Sequence, residues 1–129
     1  MRDLAEEAKK VIYSLEETNK KGKKQIRLTT TQLRKFLTAV TSISNKVSVY
    51  KVKHPGETKL SDELAGEIQF LKVKAAYQAG RESAVKKFME NADMFHKIDS
   101  IGNSIEKYEE FSRYIEALVA YRKFYGGDK

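Results

Sequence analysis

The chain has 129 residues, 40% of them hydrophobic and 33% charged, with 25 Lys and Arg against 18 Asp and Glu for a net charge of +7. That length accommodates one ordinary domain with a real core and falls short of two. A single Pro and seven Gly leave little punctuation for an all-β fold, and the absence of Cys excludes a disulfide framework and a thiolate zinc site.

The expected fold is therefore all-α, a compact bundle of about five helices. We expect a single helical domain over 1–129, with a first helix and a basic loop in 1–27 ahead of a core over 28–129. The start, MRDLAEEAKK, carries acids where a signal peptide needs an apolar run, and no stretch of about 18 apolar residues occurs. A soluble, cytoplasmic protein without a membrane partner is the expectation. Charge is distributed unevenly: no acid lies between Glu17 and Glu57, while ten cations fall from Lys20 to Lys53. This segment alone contributes +10 to the net +7, so the rest of the chain stands at −3. Such asymmetry is the footprint of a polyanion partner, because phosphate contacts release counterions. A lysine-rich solvated surface is the plainer alternative.

Leu4, Ala8, Val11, Ile12 and Leu15 repeat at helical spacing and predict an amphipathic helix over 3–17. NKKGKKQIR, from Asn19 to Arg27, reads as a mobile basic loop, either disordered or ordering on a phosphate backbone. Thr29 with Gln32 makes a capping box, and Leu28 can staple on Leu33. The stripe Leu33, Phe36, Leu37, Val40, Ile43, Val47 and Tyr50 carries the second helix to about Val49. KVSVYKVK also alternates, so a strand there is an alternative, though without a partner strand. His54-Pro55-Gly56 is a turn.

Ser61 caps the third helix, whose first turn holds Asp62 and Glu63 and whose buried side is Leu64, Ile68, Leu71 and Ala75. On it Lys74, Gln78 and Arg81 fall at i, i+4 and i+7 with Tyr77 beside them. Gly80 ends, kinks or sits within this helix. A break near it is favoured, since one unbroken helix would put Val85 on the basic face. Helical spacing continues from Ala84 to Ile101, and Gly102 stops it. Asn103 with Glu106 reads as a capping box for the last helix, which is apolar on most sides from Ile105 to Tyr125. Such a helix is central to the bundle or faces another subunit. Gly126 and Gly127 end it.

Catalytic chemistry is sparse. Glu90, Asp93 and His96 are spaced by three and would share a helix face, but a carboxylate-histidine metal bundle needs a second copy and none exists. There is no Gly-rich phosphate loop, nucleophile elbow or Cys-His pair. No catalytic residue, metal or cofactor is expected: the chain reads as a binding or structural component.

Three blocks carry a family likeness: LTTTQLRKFL at 28–37, FLKVKAAYQAGRESAVK at 70–86 and FSRYIEALVAYRKFYGG at 111–127. Together they resemble the small subunit of type III-A CRISPR effector complexes, the Csm family, with EALVAY, KFYGG and YQAGR the most specific parts. The resemblance implies a helical bundle that stacks head to tail into a short filament in antiviral defence. It would lie beside the guide-binding backbone subunits and near the large subunit, against the backbone of the guide RNA and target RNA duplex, without catalytic residues of its own. Carried over position by position, the blocks nominate Arg34, Lys35, Lys72, Lys74, Gln78, Arg81, Lys86, Arg122 and Lys123 for RNA contact, with Arg81 and Lys74 foremost. Base pairing reads sequence in such systems, so the protein has phosphates and A-form shape to grip. Arg81 has a structural alternative, capping helix carbonyls or pairing with Glu82 or Glu116. Tyr77, Tyr121 and Tyr125 read as core or inter-subunit contacts rather than stacking platforms. The competing function is a helical protein-protein adaptor without nucleic-acid contact.

Overall fold

The computed structural model describes residues 3–127. Among them the order is α1 (Leu4–Ser14), β1 (Glu16–Thr18), β2 (Lys24–Ile26), α2 (Thr30–Lys53), α3 (Asp62–Arg81), α4 (Ser83–Asn91), α5 (Met94–Ile101) and α6 (Ile105–Tyr125). The all-α class is as expected, with six helices instead of about five and one small antiparallel ribbon. Every helix, together with Ile26 and Leu28, contributes to one buried apolar cluster.

The basic loop is where the ribbon lies. Glu16 pairs with Ile26, Glu17 with Gln25 and Thr18 with Lys24. Asn19 Oδ1 accepts from the backbone N–H of Lys21 at 2.9 Å and of Lys23 at 3.0 Å, and Gly22 supplies a φ of 80°. An Asn side chain that substitutes for backbone in a turn holds the lysine tip in shape. Strands of three residues with Ile26 as the one apolar side chain are too short to show an apolar alternation.

α2 begins as expected, with both halves of the Thr29–Gln32 capping box formed. It continues through KVSVYKVK to Lys53, four residues beyond Val49, and that segment forms no strand. Val47 is buried while Val49 and Val52 are exposed, which is helical and not alternating spacing. α2 runs antiparallel to α3, where Lys46 meets Glu67 and Gln32 meets Gln78, and to α6, where Lys51 meets Glu109 and Ser44 meets Ser112. At the far end of α2 the chain crosses over, and Leu60 N donates to Asn103 O at 2.7 Å while Ile105 N donates to Thr58 O at 3.1 Å. Asn103 therefore ties this crossing by its carbonyl, and the cap of α6 is Ser104, whose hydroxyl accepts from Lys107 N at 3.1 Å.

α3 starts at the Ser61 cap and buries Leu64, Ile68, Leu71 and Ala75. Gly80 stays helical; the break comes two residues later, at Glu82 with φ −133° and ψ 112°. A new axis from Ser83 lets Val85 enter the core while Lys74 and Arg81 remain outside. A second break at Ala92 and Asp93 divides α4 from α5 and accounts for the sixth helix, with Asp93 in the left-handed region at φ 52°. Glu90 and His96 thus belong to different helices and do not share the face their spacing implied. Among the described residues no group of His, Asp or Glu is arranged to hold a metal ion. α6 lies against α1, α2 and α5 and is buried on most sides. No helix of the described residues is long and apolar enough to cross a membrane.

Candidate nucleic-acid interface

The antiparallel packing gathers the start of α2, the end of α3, the start of α4, the end of α6 and the ribbon at one end of the bundle. Several bonds fix that convergence. Gln78 Nε2 donates to Gln32 O at 2.8 Å, joining α3 to α2. Arg27 Nη2 donates to Ser83 Oγ at 3.1 Å, and Tyr125 Oη donates to Glu16 Oε2 at 2.7 Å, so the ribbon is fastened to α4 and α6.

A groove of about 270 Å³ opens there between α2 and α3, lined by Lys35, Tyr77, Gln78, Arg81 and Glu82. Arg81 is exposed, its guanidinium carbon 5.7 Å from the Tyr77 ring centroid, a cation-π distance. It pairs with neither Glu82 nor Glu116 among the described salt bridges. Because α3 is unbroken through Gly80, Lys74 and Arg81 sit two turns apart on one side of it. Tyr77 is 69% exposed and so is not a core residue. Gln78 is half-buried, with its amide given to Gln32 O and, at 3.5 Å, to Glu82 Oε1. The Glu82 carboxyl is lowered from the usual carboxylate range, chiefly by the hydrogen bond from the Gln32 side chain, with smaller help from Gln78, Lys35 and Arg81 against desolvation.

The other nominated residues divide. Lys35, Lys86 and Lys123 are exposed at the same end, and Arg34 is exposed on the other flank of α2 beside Thr38, Thr41 and Asn45. Lys72 is ion-paired with Asp99 of α5, which leaves it little charge for an outside partner. Arg122 must be withdrawn. It is 2% exposed, and its guanidinium donates to the carbonyls of Leu28, Gly126 and Ile26. A buried cation is retained by acceptors of this kind, and these face the protein interior.

The ribbon adds cations outside the three blocks. Lys20, Lys21 and Lys23 project at its tip, all exposed, and Lys24, Arg27 and Lys87 stand beside them in 3.9 Å pairs with Glu16 or Glu17. Their signal was the acid-free segment itself, which carries no motif to single out a residue. Farther along that segment, Lys46 pairs with Glu67 at 2.6 Å and Lys51 with Glu109 at 2.8 Å. Of that segment's cations outside the described ion pairs, Lys53 alone lies at the far end, and Lys20, Lys21, Lys23, Arg34 and Lys35 lie toward the ribbon end. Exposed cations on four elements are suited to binding an extended anion.

The Csm2 Type III-A family model matches residues 5–128. Among curated proteins, the chain is 38% identical over 125 residues to "CRISPR system Cms protein Csm2" of Streptococcus thermophilus, covering 97% of this chain and 93% of that one. It is 36% identical over 104 residues to the protein of the same name from Mycobacterium tuberculosis, covering 81% and 80%. With that from Enterococcus italicus identity is 37% over 100 residues, covering 76% and 68%.

Proposed function

The chain belongs to the Csm2 Type III-A family, the small subunits of type III-A CRISPR complexes, and from that premise we propose that it is a non-catalytic subunit gripping RNA backbone. Its ligand is the guide RNA and target RNA duplex, met through phosphates and A-form shape without reading bases. The observation that carries this reading is the convergence of exposed cations from the ribbon, α2, α3 and α4 around one groove and one end. Lys35, Lys74, Arg81, Lys86 and the ribbon lysines are the contact residues; Arg34 and Lys123 extend the surface on either side.

Copies stack head to tail beside the other Csm subunits, in the cytoplasm. Such a contact needs two different, complementary surfaces. The ribbon end is basic, and the opposite end exposes Glu57, Asp62, Glu63 and Glu106, interspersed with Lys53, Lys59 and Lys107.

A protein-only adaptor is the second reading, favoured by the exposed ridge of Phe70, Val73 and Tyr77 on α3. Titration of RNA at several salt concentrations, with the chain alone and in the assembled complex, separates the two. Backbone binding gives a steep salt slope indifferent to sequence, which falls when Lys74 and Arg81 are replaced by Ala. An adaptor gives no salt-dependent RNA binding in either form.

A further inference from the structure

Among the described residues, Glu82 is the carboxylate that lines the groove between Lys35 and Arg81. Its position is fixed by Gln32 of α2, 50 residues earlier, and by Gln78 in the last turns of α3. Gln32 Oε1 accepts from Thr29 N at 2.9 Å, so the amide's other end is a donor, and its Nε2 donates to Glu82 Oε2 at 2.9 Å. Gln78 Nε2, anchored on Gln32 O, reaches Glu82 Oε1 at 3.5 Å. The α3–α4 break at Glu82 turns the backbone there and leaves this side chain where the three helices meet.

A fixed anion weakens a surface whose task is to hold phosphates alone. An ionised carboxylate is acceptor-only, with about four lone-pair sites, and two amide donors leave it capacity for more. A carboxylate set between two cations matches a ligand whose negative groups alternate with a hydroxyl donor. An RNA backbone has that pattern, since a ribose 2′-hydroxyl lies between successive phosphates. We propose that Glu82 accepts a hydrogen bond from a ribose 2′-hydroxyl of a strand seated across Lys35 and Arg81, so that this groove distinguishes ribose from deoxyribose. The inference rests on the RNA-backbone reading above, and it adds a discriminating residue to a surface otherwise specific only for charge.

The test uses the full chain, an RNA duplex, and the same duplex with fluorine at every 2′ position, which keeps the A-form sugar and removes the donor. Wild type should bind the RNA duplex about tenfold more tightly than the fluorinated one, the scale of one charge-assisted hydrogen bond. Glu82→Gln keeps only a neutral amide oxygen that also faces the Gln32 and Gln78 donors, so its ratio should fall to about twofold or less, and it should bind the fluorinated duplex no more weakly than wild type does. Lys35→Ala should weaken both and keep the ratio. Glu82→Asp, which withdraws the carboxylate by one methylene, is the second variant should Glu82→Gln not fold, and it should lose the ratio as well. Equal binding of both duplexes by wild type overturns the proposal and leaves the RNA reading standing. So does a ratio that survives in Glu82→Gln, which would make the carboxylate merely a fastener of the α3–α4 junction. Absence of salt-dependent binding to either duplex overturns the RNA reading and this inference together.

Discussion

Arg122 Nε donates to the carbonyl oxygen of Leu28, 94 residues earlier in the chain, while Nη1 donates to Gly126 O at 2.8 Å. The last turn of α6 thereby holds the strap between β2 and α2, and with it the basic ribbon. Replacing Arg122 by Met leaves these carbonyls without their donor and should cost roughly 2–4 kcal/mol. Thermal melting should register a fall of about 10 °C. Arg122→Lys should recover little, because an ammonium lacks the planar fork that serves several carbonyls at once. A melting temperature unchanged by Arg122→Met would remove this residue from its structural role.

Arg81 and Lys72 lie on the same helix and should behave differently toward RNA. Arg81 is exposed over Tyr77, whereas Lys72 is paired with Asp99. Arg81→Ala and Lys35→Ala should each lower the slope of log Kd against log salt by about one. Lys72→Ala should lower it by clearly less. Each substitution is at the surface and should change folding stability by about 0.5 kcal/mol or less. Equal slopes for Arg81→Ala and Lys72→Ala would mean that the groove is not where RNA lies.

Which features were legible in the sequence follows from how local their causes are. The Thr29–Gln32 box and the Ser61 cap are complete within four residues, and the buried side of α3 repeats over three turns, so each could be read directly. Arg122 gives no such signal: its sequence neighbours place it in a basic, aromatic run, while two of its acceptors lie beyond 90 residues away. Val85 signals the break at Glu82, because its apolar character conflicts with the basic face, whereas Gly80 points two residues too early. Asp93 interrupts a continuous apolar pattern by backbone conformation alone. For the site, residue types were legible and their availability was not, since Lys72 and Gln78 are engaged by partners on other helices.

Asp93 offers a test of that second break. Its φ of 52° and ψ of 45° place a residue with a Cβ in the left-handed region, and its side chain makes no capping hydrogen bond. Asp93→Val should destabilise by about 1–2 kcal/mol, because a β-branched side chain fits this conformation poorly. Asp93→Asn should be near neutral, as Asn tolerates the same region. Urea unfolding measures both; a Val variant as stable as the Asn variant would point to a helix that continues through this position.

Tyr108 should impose a limit at alkaline pH. Its hydroxyl donates to Val40 O at 2.8 Å and lies 2.8 Å from Ser44 Oγ, and burial pushes its pKa from 10.0 up to about 12. The folded state then holds this proton more tightly than the unfolded chain does. Its contribution is full below pH 10 and is lost as pH rises from there to about 12, by roughly 2–3 kcal/mol. Tyr108→Phe should cost about 1–2 kcal/mol near neutrality and flatten the alkaline limb of the stability curve. An equally steep limb in the Phe variant would assign the alkaline loss to other groups.

Stacking by opposite ends makes a prediction that separates it from simple lysine-driven aggregation. The ribbon tip presents Lys20, Lys21 and Lys23, and the far end of the bundle presents Asp62, Glu63 and Glu106, all exposed. Reversing the three lysines to Glu sets like charges against each other in every head-to-tail contact, and reversing the three acids to Lys does the same from the other side. Each variant should reduce the number of copies incorporated into the reconstituted complex, and the two mixed should restore an alternating stack, because each end of one variant then meets an opposite charge on the other. Salt should weaken the wild-type contact and relieve the repulsion in each variant, bringing them closer above about 0.5 M, where the Debye length falls below about 5 Å. Native mass spectrometry of the assembled complex counts the copies. A full complement in both single variants would show that the ends do not meet by charge.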